Sequence, residues 1–146
     1  MFEKIMFPCD FSEACKKSLK FIKQLKGAGT KEVIIFHVID DRLINSIKNR
    51  TTSRIDVEEL GKVMEKDAQI QISEGEAELK KSGFNVKTII KKGTPFREIL
   101  EAEQELDISL IVIGSHGTSC IKEMFLGSVS EEVIRKSSKP VLVVRR

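Results

Sequence analysis

The sequence predicts an α/β fold: a single doubly wound domain, with a five-stranded parallel sheet in the order 3-2-1-4-5 and helices on both faces. Five short β-branched runs alternate along the chain with segments of helical periodicity. Three of those runs, residues 32–38, 109–113 and 140–144, are almost continuously apolar, as strands covered on both faces must be. A loop punctuated by glycines follows the fourth run and leads into a helix start, the region where open α/β sheets hold ligands. The 146 residues suffice for one domain with a proper core, and no internal repeat divides them.

The first strand is expected at Lys4–Pro8. A helix over residues 12–26 follows, with Cys15, Leu19, Ile22 and Leu25 on one face and Ser12 as N-cap. The second strand covers 32–38. Residues 40–56 are polar, with Asn45, Asn49, Arg50, Thr51, Thr52 and Ser53, and read as a flexible loop or a functional cover. A long helix over Val57–Lys81 carries Leu60, Met64, Ala68, Ile72 and Leu79 on one side, and Gly83 stops it. The third strand spans 85–90. Thr94-Pro95 opens a third helix ending near Leu106, with proline in the first turn. The fourth strand is 109–113. A last helix starts at Ser128 and ends before Ser137, and the fifth strand is 140–144.

Composition excludes several function classes. Lysine and arginine number 25 against 22 acidic residues, a net charge of +3, and the basic residues are scattered, which argues against nucleic acid as the main partner. No apolar run reaches the roughly 18 residues of a membrane span. Residues 1–8 do not read as a signal peptide, which points to the cytoplasm. Cys9, Cys15 and Cys120 match no disulfide framework or zinc pattern, so three reduced thiols are expected.

The chemistry concentrates at strand ends. Gly114-Ser115-His116-Gly117 follows strand four. Nine residues later Gly127-Ser128 opens Val129-Ser130-Glu131 as the first turn of a helix. Glycines admit close backbone approach and positive φ, and free N–H groups at a helix start attract anions, so this layout suits a phosphate. Asp10 after strand one can accept hydrogen bonds from ribose hydroxyls, or serve only as a loop residue beside the Ser12 cap. Val38 after strand two can bracket a flat base. Neither a Walker A sequence nor GxGxxG occurs. His37, inside an apolar strand, reads as a core histidine. His116 has no partner in the sequence that would make it a general base. A receiver-type signalling domain is excluded, because strand three ends in Ile89-Ile90-Lys91-Lys92-Gly93 with no phospho-accepting aspartate.

Four pieces together resemble the universal stress protein family: Phe7-Pro8-Cys9-Asp10-Phe11-Ser12, His37-Val38-Ile39-Asp40, Gly114-Ser115-His116-Gly117 with Gly127-Ser128-Val129, and Lys139-Pro140-Val141-Leu142-Val143-Val144. The resemblance spans the chain, and the spacing G-x2-G-x9-G-[ST] looks like the ATP-binding branch. It implies that Asp10 contacts ribose, with Pro8 and Cys9 lining the adenine end and Val38 meeting adenine through its main chain. It implies further that Gly114, Ser115, His116, Gly117, Thr118 and Ser119 wrap ribose and phosphates, and that Ser128, Val129 and Ser130 bind phosphate oxygens. A magnesium or manganese ion would be held through the phosphates. Cys9 stands where the family commonly has a small hydroxyl residue, and Thr118 where a basic residue is frequent, a charge that Lys122 would supply. The expected function is an ATP-binding regulatory stress-response protein, with nucleotide occupancy switching conformation or protein partners. A slow or partner-dependent ATPase is the alternative. Strand five, at the sheet edge, is expected to form a homodimer through Val141, Leu142, Val143 and Val144.

Overall fold

The structure, a computed structural model, describes residues 1–50, 56–116 and 126–145. Five strands form one parallel sheet: β1 (Lys4–Pro8), β2 (Glu32–Asp40), β3 (Asn85–Gly93), β4 (Leu110–Gly114) and β5 (Val141–Val144). Their order is β3-β2-β1-β4-β5, the order expected. The helices are α1 (Glu13–Leu25), α2 (Asp41–Arg50), α3 (Val57–Lys81), α4 (Pro95–Glu105) and α5 (Ser128–Lys136).

Period-2 alternation along each strand divides the core into two layers. Ile5 and Phe7 of β1, Val33 and Ile35 of β2, and Leu110 and Val112 of β4 pack on Cys15 and Ile22 of α1 and on Ile72 and Leu79 of α3. Met6, Ile34, Phe36, Ile111 and Ile113 point the other way, onto Ile99 and Ala102 of α4 and Val133 of α5. Each such side chain, taken out of water, contributes about 1.5–3 kcal/mol, which is why the buried stretches of the central strands are apolar on both faces.

Two expectations need correction. Residues 40–56 are not a loop through their length: Asp40 ends β2, Asp41–Arg50 is the helix α2 with Ile44 buried, and Asp56 caps α3. Polar composition hid an amphipathic turn pattern that needs only one buried anchor. Strands β2 and β3 also run further than expected, paired from Glu32↔Asn85 to Asp40↔Gly93. The polar Lys91 and Lys92 join the ladder because β3 is an edge strand, where exposed lysines are tolerated and blunt pairing with other chains.

Candidate nucleotide site

The carboxyl ends of β1, β2 and β4 open onto one cavity of about 680 Å³, closed on its other sides by α2, α3 and the start of α5. Beyond β1 the ladder continues one residue, with Cys9 N donating to Phe36 O at 2.9 Å. The chain then turns through Phe11, whose φ of 65° is left-handed, a conformation costly for a residue with a side chain. The Phe11 ring packs against His37 at 4.6 Å, and His37 Nδ1 donates to Cys9 O at 2.6 Å. Asp10 Oδ1 accepts from Ser12 N, and Ser12 Oγ accepts from Cys15 N to cap α1. Asp10 itself is exposed at the cavity mouth.

The same turn joins Cys9 to Cys15 as a disulfide, with Cα atoms 5.5 Å apart. This corrects the expectation of three reduced thiols. Spacing alone does not suggest the pair, because only the turn after β1 brings a strand end and a first helical turn within bonding reach. Cys120 lies outside the described residues.

At the other end of the cavity, α5 is fastened to β4. Gly127 N donates to Ser115 O at 2.7 Å, and Ser130 Oγ donates to Gly114 O at 2.6 Å. Gly127 is the N-cap and offers no side-chain acceptor, unlike Ser12 before α1 and Asp56 before α3. The N–H groups of Ser128, Val129 and Ser130 at the first turn of α5 therefore have no capping side chain. The two described glycines of the motif act differently from the expectation of positive φ. Gly127 has φ −62°, and Gly114 is not among the residues with positive φ. Gly114 is required for close packing instead: a Cβ there would stand 2.7 Å from Ala14 Cβ on α1.

Pro8, Cys9, Asp10, Val38, Gly114, His116, Gly127, Ser128, Val129 and Ser130 thus line one cavity. Ser115 does not line it. It is buried, with Oγ 2.6 Å from His116 Nδ1. His116 Nε2 is buried and finds no hydrogen-bond partner among the described residues. The Ser130 hydroxyl is spent on Gly114 O, which leaves its backbone N–H for a ligand. Gly117, Thr118, Ser119 and Lys122 lie outside the described residues. His37 is half-buried on the cavity wall, not in the core, although its Nδ1 is satisfied.

Sequence reasoning missed the far wall. Arg42 and Leu43 of α2, Met64 and Gln71 of α3, Pro95 and Leu126 also face the cavity. Only the helical nature of residues 41–50 brings the first two there. Arg42 grips Asp40 through Nε at 3.0 Å and Nη2 at 2.7 Å. The hydrogen bonds from Arg42 hold the Asp40 carboxyl below its ordinary range against the opposing effect of burial. Among the described residues no group of three or more histidine, cysteine or carboxylate side chains is placed to hold a metal ion. No described helix is long and apolar enough to cross a membrane.

The family model described as the universal stress protein family matches residues 1–145. Universal stress protein MJ0577 of Methanocaldococcus jannaschii is 39% identical, the match covering 100% of this chain and 96% of that one. The solved structure of MJ0577 superposes with a TM-score of 0.88 at 40% identity, over 100% and 97% of the two chains. Universal stress protein YxiE of Bacillus subtilis is 32% identical over 99% of this chain and 100% of its own. The structure of a universal stress protein from Archaeoglobus fulgidus in complex with dAMP shares the fold, with a TM-score of 0.66 at 21% identity over 99% of each chain.

Proposed function

The chain belongs to the universal stress protein family, and from that premise we propose that it is an ATP-binding regulatory protein whose nucleotide occupancy selects its conformation or its protein partners. The observation that carries this reading is the uncapped start of α5 at one end of a cavity whose other end is walled by Asp10 and Val38. Backbone N–H groups of Ser128, Val129 and Ser130 would take phosphate oxygens, with the positive end of the helix dipole behind them. Asp10 would accept from the ribose hydroxyls. The base would lie against Val38 between β2 and the α2–α3 wall. A magnesium or manganese ion would be held by the phosphates and water. A cytoplasmic location and a homodimer through β5 belong to the same reading.

One observation favours the alternative of slow hydrolysis. His116 Nε2 is buried and unpartnered among the described residues, and Ser115 Oγ fixes the ring through Nδ1. With Nδ1–H donating to Ser115 Oγ, the Nε2 lone pair would be the group that takes a proton from an attacking water.

The test begins with the ligand released on denaturing the purified protein, read by mass spectrometry. ATP supports binding with slow turnover, and ADP alone favours hydrolysis. Gly127→Asp provides the second arm. Its carboxylate would occupy the N-cap, accept the open N–H groups of α5 and repel phosphate. Calorimetry should show ATP affinity lowered by at least about 30-fold, on the scale of a charged hydrogen-bonded contact, with far-UV circular dichroism unchanged. Undiminished ATP affinity in the folded variant would place the phosphates elsewhere.

A further inference from the structure

We propose that Cys9 and Cys15 form a thiol–disulfide exchange site in the wall of the cavity, reacting with small thiols of the glutathione class by attack at Cys9 with Cys15 as the leaving thiolate. The two sulfurs differ in access. Both cysteines border the cavity, but Cys9 is half-buried, whereas Cys15, on α1, is 4% exposed and packs into the core layer. They differ also in electrostatics. Cys15 occupies the first turn of α1, a 13-residue helix, whose N-terminus favours a thiolate, and so a leaving sulfur, against the opposing cost of its burial. Exchange favours attack on the accessible sulfur and departure of the better leaving group, and here both criteria select one direction.

The steps balance. A thiolate RS⁻ forms a bond to Cys9 Sγ, the Cys9–Cys15 bond breaks, and its electron pair leaves on Cys15, which takes up a proton. A second thiolate then attacks the mixed disulfide at the R sulfur. It releases Cys9 as a thiolate, which is protonated in turn, and forms RSSR. Two electrons pass from two thiols to the protein pair. Oxidised disulfide of the same class runs the sequence backwards. Reduction opens the covalent ring that holds Asp10 and the left-handed Phe11 between the two cysteines, so the site acts on the turn that lines the cavity mouth. If the nucleotide reading above is right, bound ATP covers Cys9 and slows the attack.

The experiment uses the full chain in a Cys120→Ser background. First, air-oxidised protein is alkylated before and after dithiothreitol. Peptide mapping should find the Cys9–Cys15 linkage, and two thiols should appear on reduction. Second, Cys15→Ser and Cys9→Ser are each treated with oxidised glutathione. The mixed disulfide should form at Cys9 at least about 10-fold faster than at Cys15, following the difference in access. Absence of the linkage, or equal rates at the two positions, overturns the proposal. Third, saturating ATP should slow modification of Cys9 by at least about 5-fold, as expected for a site that the ligand covers. No slowing in protein that binds ATP by calorimetry overturns the placement of exchange in the nucleotide cavity. If calorimetry detects no ATP binding and the exchange rates hold, the nucleotide reading alone falls.

Discussion

Asp10 has two tasks that its two oxygens divide. Oδ1 accepts from Ser12 N at 3.0 Å and helps hold the turn before α1, and the carboxylate stands exposed at the cavity mouth. On the proposed reading, Asp10→Ala would remove an acceptor from the ribose end and nothing from the phosphate end. ATP affinity should fall by about 10-fold, the size of one lost hydrogen bond, while affinity for inorganic triphosphate should hold. Competitive calorimetry with both ligands checks this, and equal losses would move Asp10 out of the ribose contact. Gly114 is a different kind of residue constraint. It is glycine because α1 crosses β4 too closely for a Cβ. The Ser115–His116 contact shows how adjacent residues split inward and outward at a strand end. Ser115 turns into the core, and His116 turns to the cavity.

Among the elements, α4 and the turn from α5 to β5 meet at Glu103, which is 2% exposed. Burial alone would push its carboxyl up. Hydrogen bonds from Ser137 Oγ, Ser138 N, Ser138 Oγ and Gln104 Nε2 outweigh burial and hold it below the ordinary value. A depressed folded-state value means stability that is present above the unfolded value, about 4.3 for glutamate, and lost as pH falls through the folded one. Glu103→Gln should therefore cost about 1–3 kcal/mol at pH 7, because an amide cannot accept from all these donors. The deficit should shrink in urea unfolding at about pH 3, where the wild-type carboxylate is itself being protonated. A deficit unchanged between the two conditions would assign the cost to packing instead. Helix α5, anchored through this turn at one end and through Gly114 and Ser115 at the other, is thus held rigidly against the sheet where its open N-terminus faces the cavity.

On the scale of the whole molecule, the sheet has two edges of opposite character. On β3, Lys87, Lys91 and Lys92 are exposed and discourage further pairing. On β5, Val141, Leu142 and Val143 remain half-exposed, and only Val144 is buried. An apolar edge of this kind is suited to a two-fold mate, β5 against β5, in a closed dimer. Val143→Lys should shift the protein towards monomer in light scattering at micromolar concentration. Circular dichroism guards against simple unfolding, since Val143 also packs on the α4–α5 layer. A wild type that is monomeric at that concentration, or a folded variant that remains dimeric, would refute the interface.

The parallel α/β architecture and the two-faced core were legible in the sequence, because both follow from periodicity and from the alternation of strands with helices. Short, β-branched apolar runs such as Val33-Ile34-Ile35-Phe36 read as doubly covered strands, and functional loops of such sheets lie past their carboxyl ends. The glycine spacing from Gly114 to Gly127 likewise marked the start of α5 at Ser128. The tertiary structure alone decided what depends on contacts between segments distant in the chain or on the path of a turn. It made α2 a helix by giving Ile44 a place to be buried, and so built the far wall with Arg42 and Leu43. It spent the Ser130 hydroxyl on Gly114 O and turned Ser115 inward to orient His116. It also joined Cys9 to Cys15 through a left-handed Phe11. No local pattern encodes these features, since the free energy that selects them comes from partners the local sequence does not contain.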